Sequence, residues 1–216
     1  MKNRHALVLG ATGATGQELV KLLIEDSNYS KVSIFVRRKV DIDHKKLDVH
    51  VIDFSKLNEY KDFVKGDVLF SALGTTFKDA GSKDKQYLVD YTYSYEFAKM
   101  ASKNRVNTFS LVSSLGANEN SPFFYPKIKG KLEESVRLLD FKSIQIYQPP
   151  SLIRQPELMR SGEKVSVKLF QKLNSVGILK SLKPMPVSDL ASKMINESHV
   201  IQKERITIYK PVDIFN

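Results

Sequence analysis

Three glycines at steps of three, Gly10, Gly13 and Gly16, separate a short apolar run at residues 5–9 from a stretch with the pattern of a helix. In that stretch Leu19, Val20, Leu22, Leu23 and Ile24 fall on one helical face, whereas His5-Ala6-Leu7-Val8-Leu9 reads as a buried strand. No other feature constrains the fold as much. A strand that breaks into glycines and restarts as a helix leaves bare amides at the helix N-terminus, a ready site for phosphate.

The rest of the chain repeats the alternation. Strand-like runs occupy residues 31–36, 47–53, 67–73, 106–113, 143–148 and 205–209, and helical patterns occupy 84–105, 126–140, 167–173 and 188–196. The strand runs are continuously apolar rather than alternating, which predicts an α/β fold, a doubly wound parallel sheet with helices on both faces. With 216 residues there is room for one well-filled domain, 1–216. Pro149, Pro150, Pro156, Gly162, Gly177, Pro184 and Pro186 mark 149–186 as the expected small C-terminal lid or substrate segment.

Composition removes several function classes. The chain has no Cys, which excludes disulfides, thiolate metal sites and Cys nucleophiles. His5, His44, His50 and His199 show no ligand spacing, so no metal site is expected. A net charge of +10 arises from basic residues scattered along the chain, with no basic-aromatic pattern of the kind that binds nucleic acid. No apolar run approaches the roughly 18 residues of a membrane span, and the N-terminal sequence lacks a secretory pattern. These points predict a cytoplasmic protein without a membrane or nucleic-acid partner.

In a doubly wound sheet, ligands bind beyond the C-terminal strand ends, where strand order reverses. There Gly10 would make the tight turn, Gly13 would let the backbone approach a pyrophosphate, and Gly16 would permit close helix–strand packing. The second strand ends in Arg37-Arg38, whose guanidiniums suit a ribose 2′-phosphate, so NADP(H) is expected over NAD. Asp53, ending the third strand, either accepts from an adenine amino group or caps the following turn. Leu73-Gly74 closes the fourth strand where backbone would pass near the cofactor.

Further along, Tyr125 and Lys129 are four apart and share a helical face. An ammonium beside a phenol favours the phenolate, and such a Tyr can hand a proton to a carbonyl while hydride arrives from a nicotinamide. A hydroxyl from Ser113 or Ser114, at the end of the fifth strand, would orient that carbonyl. Tyr91, Tyr93, Tyr95 and Phe97 inside the long helix are expected to pack in the core.

Through GATGATG, VRRKV, SALGTT, SSLGA, YPKIKGKLE and PVSDLA, the chain resembles an atypical short-chain dehydrogenase/reductase of the Tat-interacting oxidoreductase branch. The resemblance implies a Rossmann-type domain, NADPH binding and a Tyr/Lys pair. It places the cofactor loop on Thr12, Gly13, Ala14 and Thr15, the 2′-phosphate site on Arg37 and Arg38, and the active tyrosine on Tyr125. It also implies that Lys129 holds the nicotinamide ribose and that Leu152 and Arg160 lie near the cofactor. Relatives often carry Arg-Pro-Gly after the sixth strand, where this chain has Gln148-Pro149-Pro150, and Asp90 lies in the helix that carries a relay Asn in many short-chain dehydrogenases. The function expected is NADPH-dependent reduction or oxidation of a small carbonyl or alcohol, by a monomer or homodimer. The alternative is an NADP(H)-sensing regulator that binds a protein partner without turnover.

Overall fold

The computed structural model of the protein describes residues 3–158 and 183–215. Its main sheet has seven parallel strands: β1 (Arg4–Leu9), β2 (Tyr29–Val36), β3 (Leu47–Val51), β4 (Val68–Ser71), β5 (Thr108–Val112), β6 (Ser143–Tyr147) and β9 (Ile206–Tyr209). They lie in the order β3-β2-β1-β4-β5-β6-β9, so the direction of winding reverses between β1 and β4. A separate parallel pair joins β7 (Leu152–Ile153) to β8 (Met185–Pro186).

The continuous apolar runs are explained by burial on both faces. Along β1, Ala6 and Val8 pack into the core beneath α1 (Ala14–Glu25) and α6 (Val187–His199), with Ile34, Phe70, Leu190 and Met194. Leu7 and Leu9 point the other way, joining Phe35, Leu69, Phe97, Phe109, Leu132 and Ile144. That second core lies beneath α4 (Ser94–Lys103), α5 (Phe124–Arg137) and a 3₁₀ segment (Phe54–Phe63). Each fully buried Leu or Phe contributes about 1.5–3 kcal/mol. Phe97 is fully buried, and Tyr91, Tyr93 and Tyr95 pack against the same core, as the helical pattern implies.

Several helical elements depart from the sequence expectation. The helix expected over 84–105 comprises α3 (Lys83–Tyr87), a π-helical turn (Leu88–Tyr93) and α4, and it ends at Lys103. The widened turn holds the fully buried Asp90. α5 begins at Phe124, which puts Pro126 in the first turn, where its missing N–H has no intrahelical acceptor to lose. Short helices α2 (Phe77–Ala80) and α7 (Pro211–Phe215) carry too few residues for a periodic signal. The helical pattern at 167–173 lies outside the described residues.

Candidate functional site

A cleft of about 900 Å³ opens beyond the C-terminal ends of β1, β4, β5 and β6, at the reversal of strand order. Its walls bring together Gly13, Ala14, Thr15, Leu73, Gly74, Ser113, Ser114, Tyr125, Lys129 and Leu152, all named from the sequence. Thr75, Lys83, Phe124, Pro149, Pro150 and Arg154 also line it. Among the described lining residues Lys83, Lys129 and Arg154 are cations and no carboxylate is present, which suits an anionic ligand.

The three glycines do different work. Gly10 has φ +86°, and a Cβ there would lie 2.6 Å from the Leu73 amide nitrogen, so β1 can approach the β4 end only without a side chain. A Cβ on Gly16 would overlap the Gly10 carbonyl oxygen, so α1 could not seat against the turn. Gly13 differs, because a Cβ would meet only the Gly10 carbonyl oxygen at an ordinary 3.4 Å. Its bareness is not required by the protein's own packing, and the space it leaves belongs to the cleft. Gly13 is also the N-cap of α1; no side chain caps that helix, and no acidic residue occupies its first turn. Uncapped amides and the positive end of the helix dipole fit a pyrophosphate.

The other expected cofactor positions Thr12, Arg37, Arg38 and Asp53 are not among the residues that line this cleft. Thr12 is exposed in the turn, and its carbonyl accepts from Gln17 Nε2 at 3.4 Å. Arg37 and Arg38 are exposed just beyond β2, which neighbours β1. Asp53 makes capping bonds: its Oδ1 accepts from the Ser55 amide at 2.9 Å and the Ser55 hydroxyl at 2.7 Å. Arg160 lies outside the described residues. Gln155, following β7, donates to the Ala14 carbonyl at 3.0 Å and to Glu18 at 2.7 Å, tying this segment to the first turn of α1.

At the opposite wall α5 carries Tyr125 and Lys129 one turn apart. Gly130 lets α5 lie against the backbone at Asn118 and Glu119, and the Asn118 amide donates to the Pro126 carbonyl at 3.0 Å. These contacts brace the helix start from which Tyr125, 39% exposed, faces the cleft. Lys129 is only 3% exposed, with Nζ 3.8 Å from Asp90 Oδ1, and Asp90 Oδ2 accepts from the Thr75 amide at 3.0 Å. One carboxylate therefore compensates the buried ammonium and pins the loop after β4.

Glu133 continues the same stripe one turn further and is also buried. Ser113 Oγ donates to its Oε1, and Gln148 Nε2 donates to both carboxylate oxygens at 3.0 Å. Burial raises the Glu133 carboxyl above its ordinary value, against the opposing pull of these donors and of Arg137 and Lys129. Gln148-Pro149-Pro150 thus has a defined place: the glutamine binds Glu133, and Pro149 accepts from the Leu115 amide at 2.9 Å beside the cleft. The partners of Asp90 and Glu133 were not legible from sequence, because each lies far along the chain; Glu133 left one local signal, the recurrence of Tyr125, Lys129 and Glu133 every fourth residue.

The histidines lie elsewhere. His5 Nε2 bonds the Ser33 hydroxyl at 2.9 Å, and His199 Nε2 pairs with Asp26 at 2.7 Å. Among the described residues no group of three or more His, Cys, Asp or Glu is placed to hold a metal. No described helix is long and apolar enough to cross a membrane.

The pattern of the NAD(P)H-binding family matches residues 10–138. Protein HTATIP2 of Rattus norvegicus is 35% identical over 177 residues, covering 80% of this chain and 73% of the relative. Protein FMP52, mitochondrial, of Debaryomyces hansenii is 38% identical over 169 residues, covering 77% and 74%. Among solved structures, the Bordetella bronchiseptica enzyme WbmG in complex with NAD superposes with a TM-score of 0.72 at 15% identity, covering 96% of this chain and 73% of that one. The yeast relatives are named as mitochondrial proteins, which overturns the cytoplasmic expectation. A missing secretory pattern separates export from retention, and does not distinguish one internal compartment from another.

Proposed function

The chain belongs to the NAD(P)H-binding family, with the Rossmann-type fold of the atypical short-chain dehydrogenases/reductases, and from that premise we propose that it is an NADPH-dependent oxidoreductase acting on a small carbonyl or alcohol. The observation that carries this reading is Lys129, an ammonium buried at 3% exposure at the edge of the cleft, compensated by Asp90 and one helical turn from Tyr125. Burying such a charge costs several kcal/mol, and a buried cation aimed at a cleft is a mark of a working site.

NADPH, when bound, supplies a hydride. The protein's own groups then have the following roles. The open amides at Gly13, Ala14 and Thr15 hold the pyrophosphate, and Arg37 and Arg38 take the 2′-phosphate as bidentate donors. Leu73, Gly74 and Leu152, which line the cleft, would flank the dinucleotide. Tyr125 gives its phenolic proton to the carbonyl oxygen, the Lys129 ammonium stabilises the charge left on that phenol, and Ser113 and Ser114 orient the reacting oxygen. Pro149 and Pro150 line the cleft and Gln148 binds Glu133, so this departure from the family pattern does not by itself favour a regulator without turnover.

Tyr125→Phe removes one oxygen and almost no volume. Stability and NADPH affinity should survive, while turnover of any carbonyl substrate falls by about 10²–10⁴-fold. Lys129→Ala should lose both binding and turnover. Reductase activity that persists undiminished in Tyr125→Phe would overturn the mechanism.

A further inference from the structure

Ser113 lines the cleft, yet its hydroxyl is turned away from it, donating to Glu133 Oε1. A hydroxyl has one proton and two lone pairs. While that proton is given to Glu133, Ser113 can offer the cleft only lone pairs. It then accepts from an alcohol and does not donate to a carbonyl. Protonating Oε1 reverses the bond: the carboxylic O–H donates to Ser113 Oγ, and the serine proton is released to turn toward the cleft. Gln148 Nε2, bonded to both oxygens, keeps an acceptor in either state.

We propose that Glu133 is a positioning residue that sets the polarity of Ser113, an acceptor toward the cleft when Glu133 is ionised and a donor when it is protonated. The inference rests on the oxidoreductase reading above and adds a ligand preference to it: with Glu133 protonated Ser113 can donate to a carbonyl, and with Glu133 ionised it can accept from an alcohol. Atoms balance without any further partner, since only one proton moves onto the carboxylate from solvent. The charged groups that face Glu133 are Arg137 and Lys129, both from its own helix and both favouring the carboxylate. Asp90, from the helix packed across α5, lies beyond Lys129. The ends of β5 and β6 present the neutral Ser113 and Gln148. Burial opposes all of these and keeps the protonated form within reach.

The test follows Glu133 directly in the full chain, by carbon NMR titration of glutamates labelled at the side-chain carboxyl, with Glu133→Gln identifying the signal. The expected midpoint lies above that of the exposed glutamates. Ser113→Ala should raise it further, because a donor to the carboxylate is lost. Gln148→Arg should lower it by about one pH unit or more, a tenfold change in proton affinity, because a buried cation then holds the carboxylate. A midpoint unmoved by Ser113→Ala would overturn the inference. A second arm compares NADPH reduction of 4-nitrobenzaldehyde with NADP⁺ oxidation of 4-nitrobenzyl alcohol across the same pH range. The proton consumed in reduction tilts their ratio toward reduction at low pH for any catalyst, so each rate is followed by its own pH profile. Both profiles should inflect at the Glu133 midpoint, and that inflection should vanish in Glu133→Gln; an inflection kept in that variant also overturns it. Absence of turnover at every pH tells against the oxidoreductase reading instead, and the titration then decides the inference.

Discussion

Gly13 and Gly16 lie three residues apart at the same helix start, yet replacing each with Ala should give opposite results. At Gly13 the backbone is extended, with φ −82° and ψ 167°, and the new Cβ meets only one carbonyl oxygen at 3.4 Å. Reduced freedom of the unfolded chain contributes about 0.4–1 kcal/mol, and the poorer N-cap residue costs a similar amount, so stability should stay within about 1 kcal/mol. At Gly16 the substitution sits within a helix, where Ala normally gains about 0.5–1 kcal/mol. Here the Cβ overlaps the Gly10 carbonyl oxygen and lies 2.7 Å from the Gly10 carbonyl carbon and 2.8 Å from Ala11 Cα. Backbone atoms cannot turn aside as a side chain does, so Gly16→Ala should lose about 1–3 kcal/mol, or roughly 2–12 °C in Tm. Ligand binding should rank the variants the other way. A methyl at Gly13 holds the pyrophosphate off the amides, and losing one charge-assisted bond worth about 1.5–3 kcal/mol weakens NADPH roughly ten- to hundredfold. The assay is thermal unfolding with and without NADPH, where a ligand at a hundred times its Kd adds about 2.7 kcal/mol to the unmutated protein. Gly13→Ala should melt as the parent does and keep only about 0.4–1.4 kcal/mol of the NADPH stabilisation. A Gly13→Ala protein that melts as low as Gly16→Ala, or keeps the full shift, would refute the assignment of this loop.

Arg37→Ala with Arg38→Ala should abolish an NADPH preference over NADH of at least about tenfold, equivalent to 1.4 kcal/mol, as read by fluorescence titration of both cofactors. Equal affinities in the parent would remove the 2′-phosphate role. Asp90→Ala leaves Lys129 buried without this carboxylate and the Thr75 amide without its acceptor, so denaturant unfolding should show a loss of about 3–5 kcal/mol. A loss below about 1 kcal/mol would mean that the pair contributes little. Because the folded protein raises the Glu133 carboxyl above its unfolded value, it binds the proton more tightly than the unfolded chain does. That contribution to stability is present below the unfolded value, near 4.5, and is lost as pH rises through the folded one. Relative to Glu133→Gln, the parent should therefore lose stability with rising pH in that window, and a parent that gains stability there would reverse the assigned direction.

Much of the architecture was legible because it is written in local pattern. Continuous apolar runs of strand length imply burial on both faces, and a strand–glycine–helix junction implies a bare helix N-terminus; both follow from short stretches such as 5–24. Tyr125 and Lys129 were legible for the same reason, since helical periodicity places residues four apart on one face. Tertiary structure alone decided the rest. Gly10 needs its bareness because of Ala72 and Leu73, which reach it only once β4 lies beside β1. Asp90 is brought to Lys129 by packing of the π-helical turn on α5, and a widened turn breaks the 3.6-residue period from which helices are read. Ser113 and Gln148, 20 and 15 residues from Glu133, meet it because β5 and β6 are neighbours that end at the same edge of the sheet. Hydrogen bonding and side-chain periodicity act over a few residues and so leave a trace in sequence. Contacts made across a sheet depend on strand order, which is set by how the whole apolar surface is buried.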